Sequence, residues 1–406
     1  MRNRYPETGP ARTPVRDRTR VALLHGLLDP ARDGVADYVT HLVPALRADG
    51  VEVVALPVPS RPAGDRTHAG DLRRLADLRR RIAATRPDLV HVQFAPSAFR
   101  SQTPPGLLPL AVAGTPLVAT LHEYGGASGA RWLPEAAWRV AERHGWWDRD
   151  TWRLVPASDA VVVTNPGHAA LLRDRTGREP VLIPLAPNVQ PVPPGDRQRA
   201  RRRRRLDPNA PVLVFFGFVH PVKGVRYLIE AVARLRREHP DLRLVVVGGF
   251  TSLALPGDEA EAVRRDLQSH AARHGVADAV TFTGHLPEQE VSELLSAADV
   301  AVLPFTAGVT AKSGALLSVL AHGLPTVVTR ADRPDPELVD GVSVVEVADR
   351  RDPTALAAGI SRLLRDPTLR ARVAEGGAAV AGRRTWPALA AAHHDLYRRL
   401  LAGERA

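Results

Sequence analysis

From residue 212 to 235 the chain reads VLVFFGFVHPVKGVRYLIEAVARL, and no other stretch narrows the choice of fold as far. Residues 212–216 are an unbroken apolar run, the pattern of a strand covered on both faces in a parallel sheet. Gly217 and Gly224 bound a short loop that holds His220, Pro221 and Lys223. Val225, Leu228, Ile229, Val232 and Leu235 then recur at the 3.6-residue period of a helix. Strand, glycine-bounded loop and helix put backbone N–H groups and a lysine at a positive helix end. A cation is unfavourable there unless an anion accompanies it, and phosphate is the usual anion. The stretch is not a Walker A loop, because G-x-x-x-x-G-K-[ST] is absent, and no G-x-G-x-x-G follows a strand.

The rest of the chain repeats that grammar. Apolar strand patterns fall at 20–24, 51–56, 89–93, 117–121, 160–164 and 181–184. Helical faces lie between them, one on Val35, Val39, Leu42, Val43 and Leu46, another on Leu72, Leu75, Leu78 and Ile82. A second set starts at 212, with strands at 242–247, 280–282, 300–303 and 326–329 and helices at 259–274, 288–297 and 313–321. Alternating strands and helices mean βαβ units and parallel sheets. At 406 residues the chain exceeds one ordinary core. The expected fold is α/β, with two doubly wound Rossmann-like domains facing a cleft. Ligands in such folds lie outside the carboxyl ends of strands, where the 25–34 loop and His122-Glu123 fall.

Between the two sets, residues 186–211 break the pattern with six prolines and the run Arg201–Arg205. Such a run binds nucleic acid or anionic lipid in some proteins, but beside prolines it reads as a solvated linker or an exposed first turn. The divisions expected are a disordered tail at 1–18, a first Rossmann-like domain at 19–190 with the last helix at 386–406, a basic linker at 191–210 and a second Rossmann-like domain at 211–385.

Composition closes several classes. There are 0 Cys, so disulfides, thiolate catalysis and cysteine-ligated metal are excluded. The net charge of +11 favours anionic partners, although the arginine and alanine richness also fits a GC-rich genome. Residues 101–121 carry no charge, but Pro104, Pro105, Pro109 and Pro116 break them into loop, short helix and strand rather than a membrane span. The first 20 residues are charged and proline-bearing without the apolar core of a signal peptide, so a cytoplasmic protein is expected.

In their order and spacing, PDLVHVQF, TLHEYGG, DAVVVTN, Pro187-Asn188, FFGFVHPVKG, VTFTGHLPEQE and AHGLPTVVT resemble the family-four glycosyltransferases of the GT-B fold. The resemblance runs from about residue 20 to 401, where the helix 386–401 matches the family's terminal helix that returns to the first domain. Gly217, Lys223 and Gly224 match the family's phosphate loop, with Phe218 where arginine is usual. The resemblance implies transfer of a sugar from a nucleotide-diphosphate sugar, with retention of configuration and with no cofactor beyond that co-substrate. Its acceptor would be a small molecule, a glycan or a lipid-linked group; no nucleic acid and at most a peripheral membrane contact are expected. A non-catalytic nucleotide-sugar binder is the alternative.

On that resemblance His122 faces the reacting sugar, as a donor to a hydroxyl or phosphate, and Glu123 orients it or meets the acceptor. Lys223 and Lys312 meet the diphosphate, with Ser313 near; the backbone at His285-Leu286 meets the base; Gly34, Gly217, His220 and Gly248 complete the donor set. The family's pair of glutamates, eight residues apart, aligns with Thr310 and Ser318, neither of them acidic. Carboxylate recognition of the ribose is therefore lost. Each of these residues has a plainer alternative: a strand-end histidine satisfied by backbone for His122, an ordinary turn for Gly34. Asp148-Arg149-Asp150 matches the D-x-D pattern of metal-dependent transferases but lies outside any strand end, and no metal is expected. Trp132, Trp138, Trp146, Trp147 and Trp152 crowd one segment, as a sugar-stacking surface, a lipid contact or helix packing.

Overall fold

The strand patterns assemble into two separate sheets. The computed structural model describes residues 18–26, 29, 33–58, 68–96, 99, 105–112, 114–126, 134–191, 197–204, 206–251, 255 and 257–404. The first sheet comprises β1 (Arg20–His25), β2 (Glu52–Pro57), β3 (Leu89–Phe94), β4 (Leu117–Leu121), β5 (Ala160–Val163) and β6 (Val181–Leu182). The second comprises β7 (Val212–Phe216), β8 (Arg243–Val247), β9 (Val280–Gly284), β10 (Val300–Leu303), β11 (Thr326–Thr329) and β12 (Val345–Val347). Their orders are β2-β1-β3-β4-β5-β6 and β12-β11-β10-β7-β8-β9, and every neighbouring pair is parallel.

Helices cover both sheets. With the first run α1 (Gly34–Ala48), α2 (His68–Thr85), α3 (Leu108–Val112), α4 (Glu135–Arg143), α5 (Leu154–Ala157) and α6 (Pro166–Thr176). After them come α7 (Arg197–Arg203), α8 (Val225–Leu235), α9 (Gly257–Arg273), α10 (Glu288–Ala297), α11 (Gly314–Ala321), α12 (Pro353–Arg365), α13 (Pro367–Gly382) and α14 (Trp386–Leu401). Side-chain caps start several of them: Asp33 for α1, Asn165 for α6, Ser313 for α11, Asp352 for α12 and Thr385 for α14. No helix among the described residues is long and apolar enough to cross a membrane.

The last helix belongs to the first sheet's core. Trp386, Leu389, Ala390, Leu396 and Tyr397 pack with Val21, Leu23 and Leu42. Trp386 Nε1 donates to the Pro187 carbonyl at 2.9 Å, and His41 stacks on the indole at 5.1 Å. Asn188 then bonds Asp37 of α1 while lying against Gly314 of α11, so one asparagine touches both domains.

The basic run is not a solvated linker. Arg197, Arg201 and Arg204 recur at i, i+4 and i+7, and α7 lays them against acids of the second domain. Arg201 is 2% exposed and donates to the carbonyls of Ala297, Asp207, Pro208 and Ala210 and to the Asp299 carboxylate. Arg203 and Arg204 pair with Glu293 and Glu290. These arginines are therefore spent on folding the chain onto α10, which removes them as a free polycation. Arg205 and residues 192–196, also read as linker, lie outside the described residues, as do residues 1–17 of the expected tail.

Candidate functional site

In the second sheet β7 and β10 lie side by side, but their following connections leave in opposite directions. That divergence is the switch point of a doubly wound sheet, beyond whose carboxyl ends the crevice for ligands lies in such folds. Gly224 begins α8 at φ +70°, and a Cβ there would stand 2.0 Å from the Pro304 carbonyl oxygen, so only glycine fits. The Val222 carbonyl accepts from Thr306 N at 2.9 Å, tying the loop after β7 to the loop after β10. His220 Nδ1 accepts from Val222 N at 3.2 Å, which makes this histidine the cap of the turn carrying Lys223.

Lys223 is half-buried, with Nζ 3.7 Å from the centroid of the Phe305 ring. Burial first, and the nearby Lys312 charge second, push its amine down to about 8. Lys312 stands exposed on a loop whose geometry is fixed from both sides: Ala311 N donates to Asp335 Oδ2 at 2.8 Å, and the Ala311 carbonyl accepts from Arg384 Nη1 at 2.7 Å. Among the described residues neither lysine is in an ion pair. These are also the only two lysines among the chain's 55 basic residues; every other is arginine. Two like charges held together in a crevice are a standing cost that an anion would relieve.

Other expected donor residues fall differently. Ser313 Oγ accepts from Leu316 N at 3.3 Å and so caps α11. Ser318 is fully buried; its hydroxyl donates to the Gly314 carbonyl at 2.8 Å and accepts from Val189 N at 3.1 Å. It therefore holds the interdomain segment and is closed to a ligand. Gly248 serves the backbone: at φ +144° a Cβ would meet the Gly217 carbonyl oxygen at 2.1 Å. Gly217 itself, at φ +128°, faces Ala315 of α11. Leu286 packs half-buried against the core beside exposed His285, and Thr310 is half-buried on the loop that carries Lys312. Gly34 is exposed at the start of α1, with open space where a Cβ would lie. The amides of Val35 and Ala36 are already taken by the Asp33 carboxylate, so the α1 end is largely filled by its own cap.

In the first domain His122 follows β4. Its Nε2 lies 2.8 Å from Gln93 Oε1, and its ring meets Tyr38 edge-on at 4.8 Å. Burial lowers its pKa to about 3, which favours the neutral ring. Gln93 on β3 bonds this ring, and exposed Glu123, expected to orient it or to meet the acceptor, lies within electrostatic reach of Asp33. Burial, with Glu123 and Asp29 adding to it, raises the Asp33 pKa despite its capping bonds. His168 near the start of α6 was missed in the sequence. Burial and the Lys312 charge push it down to about 4, and its buried Nδ1 has no partner among the described residues.

The D-x-D triplet is spent on structure. Asp148 is buried and accepts from Tyr124 Oη at 2.5 Å and from Thr151 N and Oγ1, each at 2.7 Å. Asp150 accepts from Gly125 N at 2.9 Å and Arg175 at 2.6 Å, and Arg149 forks onto Glu142. Among the described residues, the group of His and acidic side chains close enough to share an ion is Glu230, His270 and His274, on and just after α8 and α9. Of the tryptophans, Trp138 is core, Trp152 packs edge-on against Trp147 at 6.0 Å, and Trp146 and Trp147 keep exposed faces. Trp132 lies outside the described residues.

Two facing α/β domains with a lysine-lined crevice in one and a neutral histidine in the other define a class, the two-domain GT-B architecture. Residues 16–189 match the family model described as glycosyl transferase 4-like domain, and residues 210–366 match that of glycosyl transferases group 1. The chain belongs to this family of glycosyltransferases. It is 33% identical over 306 residues to a D-inositol 3-phosphate glycosyltransferase of Acidothermus cellulolyticus, covering 72% of this chain and 64% of that one. A protein of the same name from Stackebrandtia nassauensis is 35% identical over 244 residues, covering 58% and 52%. The matched part thus spans between half and two thirds of these curated relatives. Among solved structures, sucrose-phosphate synthase from Thermosynechococcus elongatus superposes with a TM-score of 0.69 at 21% identity, covering 95% of this chain and 100% of the other. Anabaena Alr3699/HepE in complex with UDP-glucose gives 0.69 at 17%, with the same coverage. Likeness at that identity speaks for the fold alone.

Proposed function

We propose that the protein transfers a sugar from a nucleotide-diphosphate sugar, held in the crevice beyond β7 and β10, to an acceptor held by the first domain. The observation that carries the reading is the pairing of the chain's only two lysines, neither in an ion pair among the described residues, at that crevice. The charge that grows on the departing diphosphate would fall on Lys223 and Lys312, where preorganised cations stabilise it without a metal. His122, neutral and placed at the end of β4, would meet the reacting sugar from the opposite domain. Retention of configuration is part of the proposal.

UDP-glucose is the first donor to try, because the HepE structure is a complex with it. An inositol phosphate is the first acceptor, because of the names the relatives carry. The test is product formation from a panel of nucleotide-diphosphate sugars. A second reading, a binder without turnover, is favoured by Ser318, which stands buried and spent where the family has a glutamate. Donor binding without transfer or hydrolysis across the panel would select it.

Two further outcomes are expected. Activity in excess EDTA should equal that of untreated protein, because Asp148 and Asp150 are committed to internal bonds. Loss of activity that Mn²⁺ restores would overturn metal independence. His122→Ala should leave donor affinity within about threefold and lower turnover about tenfold or more, the worth of one well-placed hydrogen bond. Unchanged turnover in a protein of unaltered circular dichroism would make His122 structural.

A further inference from the structure

We propose that Gln93 is a positioning residue that locks His122 into a single neutral tautomer, by coupling it to His91 in a buried polar chain anchored on the terminal helix. The proposal rests on the reading of His122 as the group that meets the reacting sugar. Gln93, His91, Thr120 and Tyr397 are all 0% exposed. Gln93 Oε1 lies 2.8 Å from His122 Nε2, and Gln93 Nε2 lies 3.1 Å from His91 Nε2. His91 Nε2 is also 2.7 Å from Thr120 Oγ1, and His91 Nδ1 is 2.6 Å from Tyr397 Oη on α14.

A primary amide accepts on one side and donates on the other. The two Nε2 atoms that Gln93 bridges therefore cannot both carry hydrogen, nor can both lack it. As the amide stands, His122 carries its hydrogen on Nε2 and keeps a lone pair on Nδ1, while His91 is the opposite tautomer. Turning the amide over exchanges the two tautomers and leaves them opposite. Either way the ring plane of His122 is fixed, and its remaining nitrogen has one defined polarity toward a sugar hydroxyl. Protonation does not blur this. Burial holds His91 well below the ordinary histidine range, and His122 sits at about 3. The titratable groups facing the pair are Tyr38 of α1, His168 of α6, and His393 and Tyr397 of α14, with Glu123 next in the chain. His168 and His393 are themselves pushed down to about 4, and burial raises both tyrosines, so neither the histidines nor the tyrosines bring a charge at neutral pH.

This makes α14 more than a strap. The same helix that returns to the first domain supplies the phenol at the far end of the chain of bonds. A glutamine inside an apolar strand, in a fully buried position, is otherwise an expensive choice.

The test is nitrogen-15 spectroscopy of the full-length protein labelled on histidine, which separates protonated from bare ring nitrogens, with His91 and His122 assigned from single substitutions. The expected result is two neutral rings of opposite tautomer that do not change between about pH 5 and 8. Equal tautomers, averaging, or titration of His122 in that range would overturn the proposal. In Gln93→Leu, His122 should show a mixture of tautomers, and kcat should fall about tenfold with donor Kd within about twofold. An unmixed His122 signal in that variant would also overturn it. If Gln93→Leu does not fold, the wild-type spectrum decides alone. If His122→Ala leaves turnover intact, the reading of His122 fails while the tautomer spectrum still judges Gln93.

Discussion

Replacing Lys223 and Lys312 together by alanine is expected to abolish measurable binding of a nucleotide diphosphate, and each replacement alone to weaken it roughly tenfold or more. A charge-assisted bond to phosphate is worth about 1.5–3 kcal/mol, and 1.4 kcal/mol is one decade of affinity. Arg384, the arginine that reaches the Lys312 loop, is already occupied by the Ala311 carbonyl and the Glu337 carboxylate. The same argument gives a pH dependence. The Lys223 amine sits at about 8, and the anion binds its protonated form. Affinity should be level below about pH 8 and fall as pH rises through it, until the higher pKa of the bound state is reached. Calorimetric titration across pH, wild type against Lys223→Ala, checks this; the mutant should lose the slope. The composition adds a direct assay. With two lysines in the chain, reductive methylation modifies two side chains, and a bound nucleotide diphosphate should protect both. If Lys312→Ala binds as tightly as wild type, that lysine is a solvated charge and the donor is held by other groups.

How much of this was legible follows from how local each feature is. The phosphate-type loop was readable because strand, glycine, lysine and helix are contiguous, and the clash that forces Gly224 involves the neighbouring strand's loop. The strands were readable as apolar runs, and β4, β7, β10 and β11 have the expected ends. The segment holding β12, α12 and α13 carried a weaker signal. Its buried face interleaves Leu356, Ile360 and Leu363 with Ala357 and Gly359, and Gly359 fits there because a Cβ would stand 2.8 Å from Val347. The α7 run misled because composition says linker, whereas its acids lie 86 to 102 residues further along the chain. Gln93 gave no signal for the same reason: its partners are His122, 29 residues away, and through His91 a phenol 306 residues beyond that histidine. Ser318 shows the opposite limit. Alignment fixes where the position lies, but a serine too short to reach the crevice turns to the backbone of its own helix and of Val189.

Arg201→Met should destabilise the second domain by about 3–5 kcal/mol, although the position sits in a five-arginine run that composition assigns to solvent. Methionine keeps much of the side chain's volume, so the loss isolates the guanidinium. Without it the carbonyls of Ala297, Asp207, Pro208 and Ala210 lose a shared buried donor. Among the described residues the Asp299 carboxylate keeps Arg197 and the Val212 amide at 2.7 Å. That amide opens β7, so the damage begins one strand length below the lysine loop. At roughly 2–4 °C per kcal/mol for a domain of this size, the second domain's calorimetric transition should drop by about 6 °C or more. Arg203→Ala supplies the contrast: its side chain is 52% exposed, and its pair with Glu293 is worth at most about 1 kcal/mol. Equal stability of the two variants would mean that α7 merely rests on the domain. A large gap between them establishes that one arginine of the run is a core residue and that its neighbour two positions on is not.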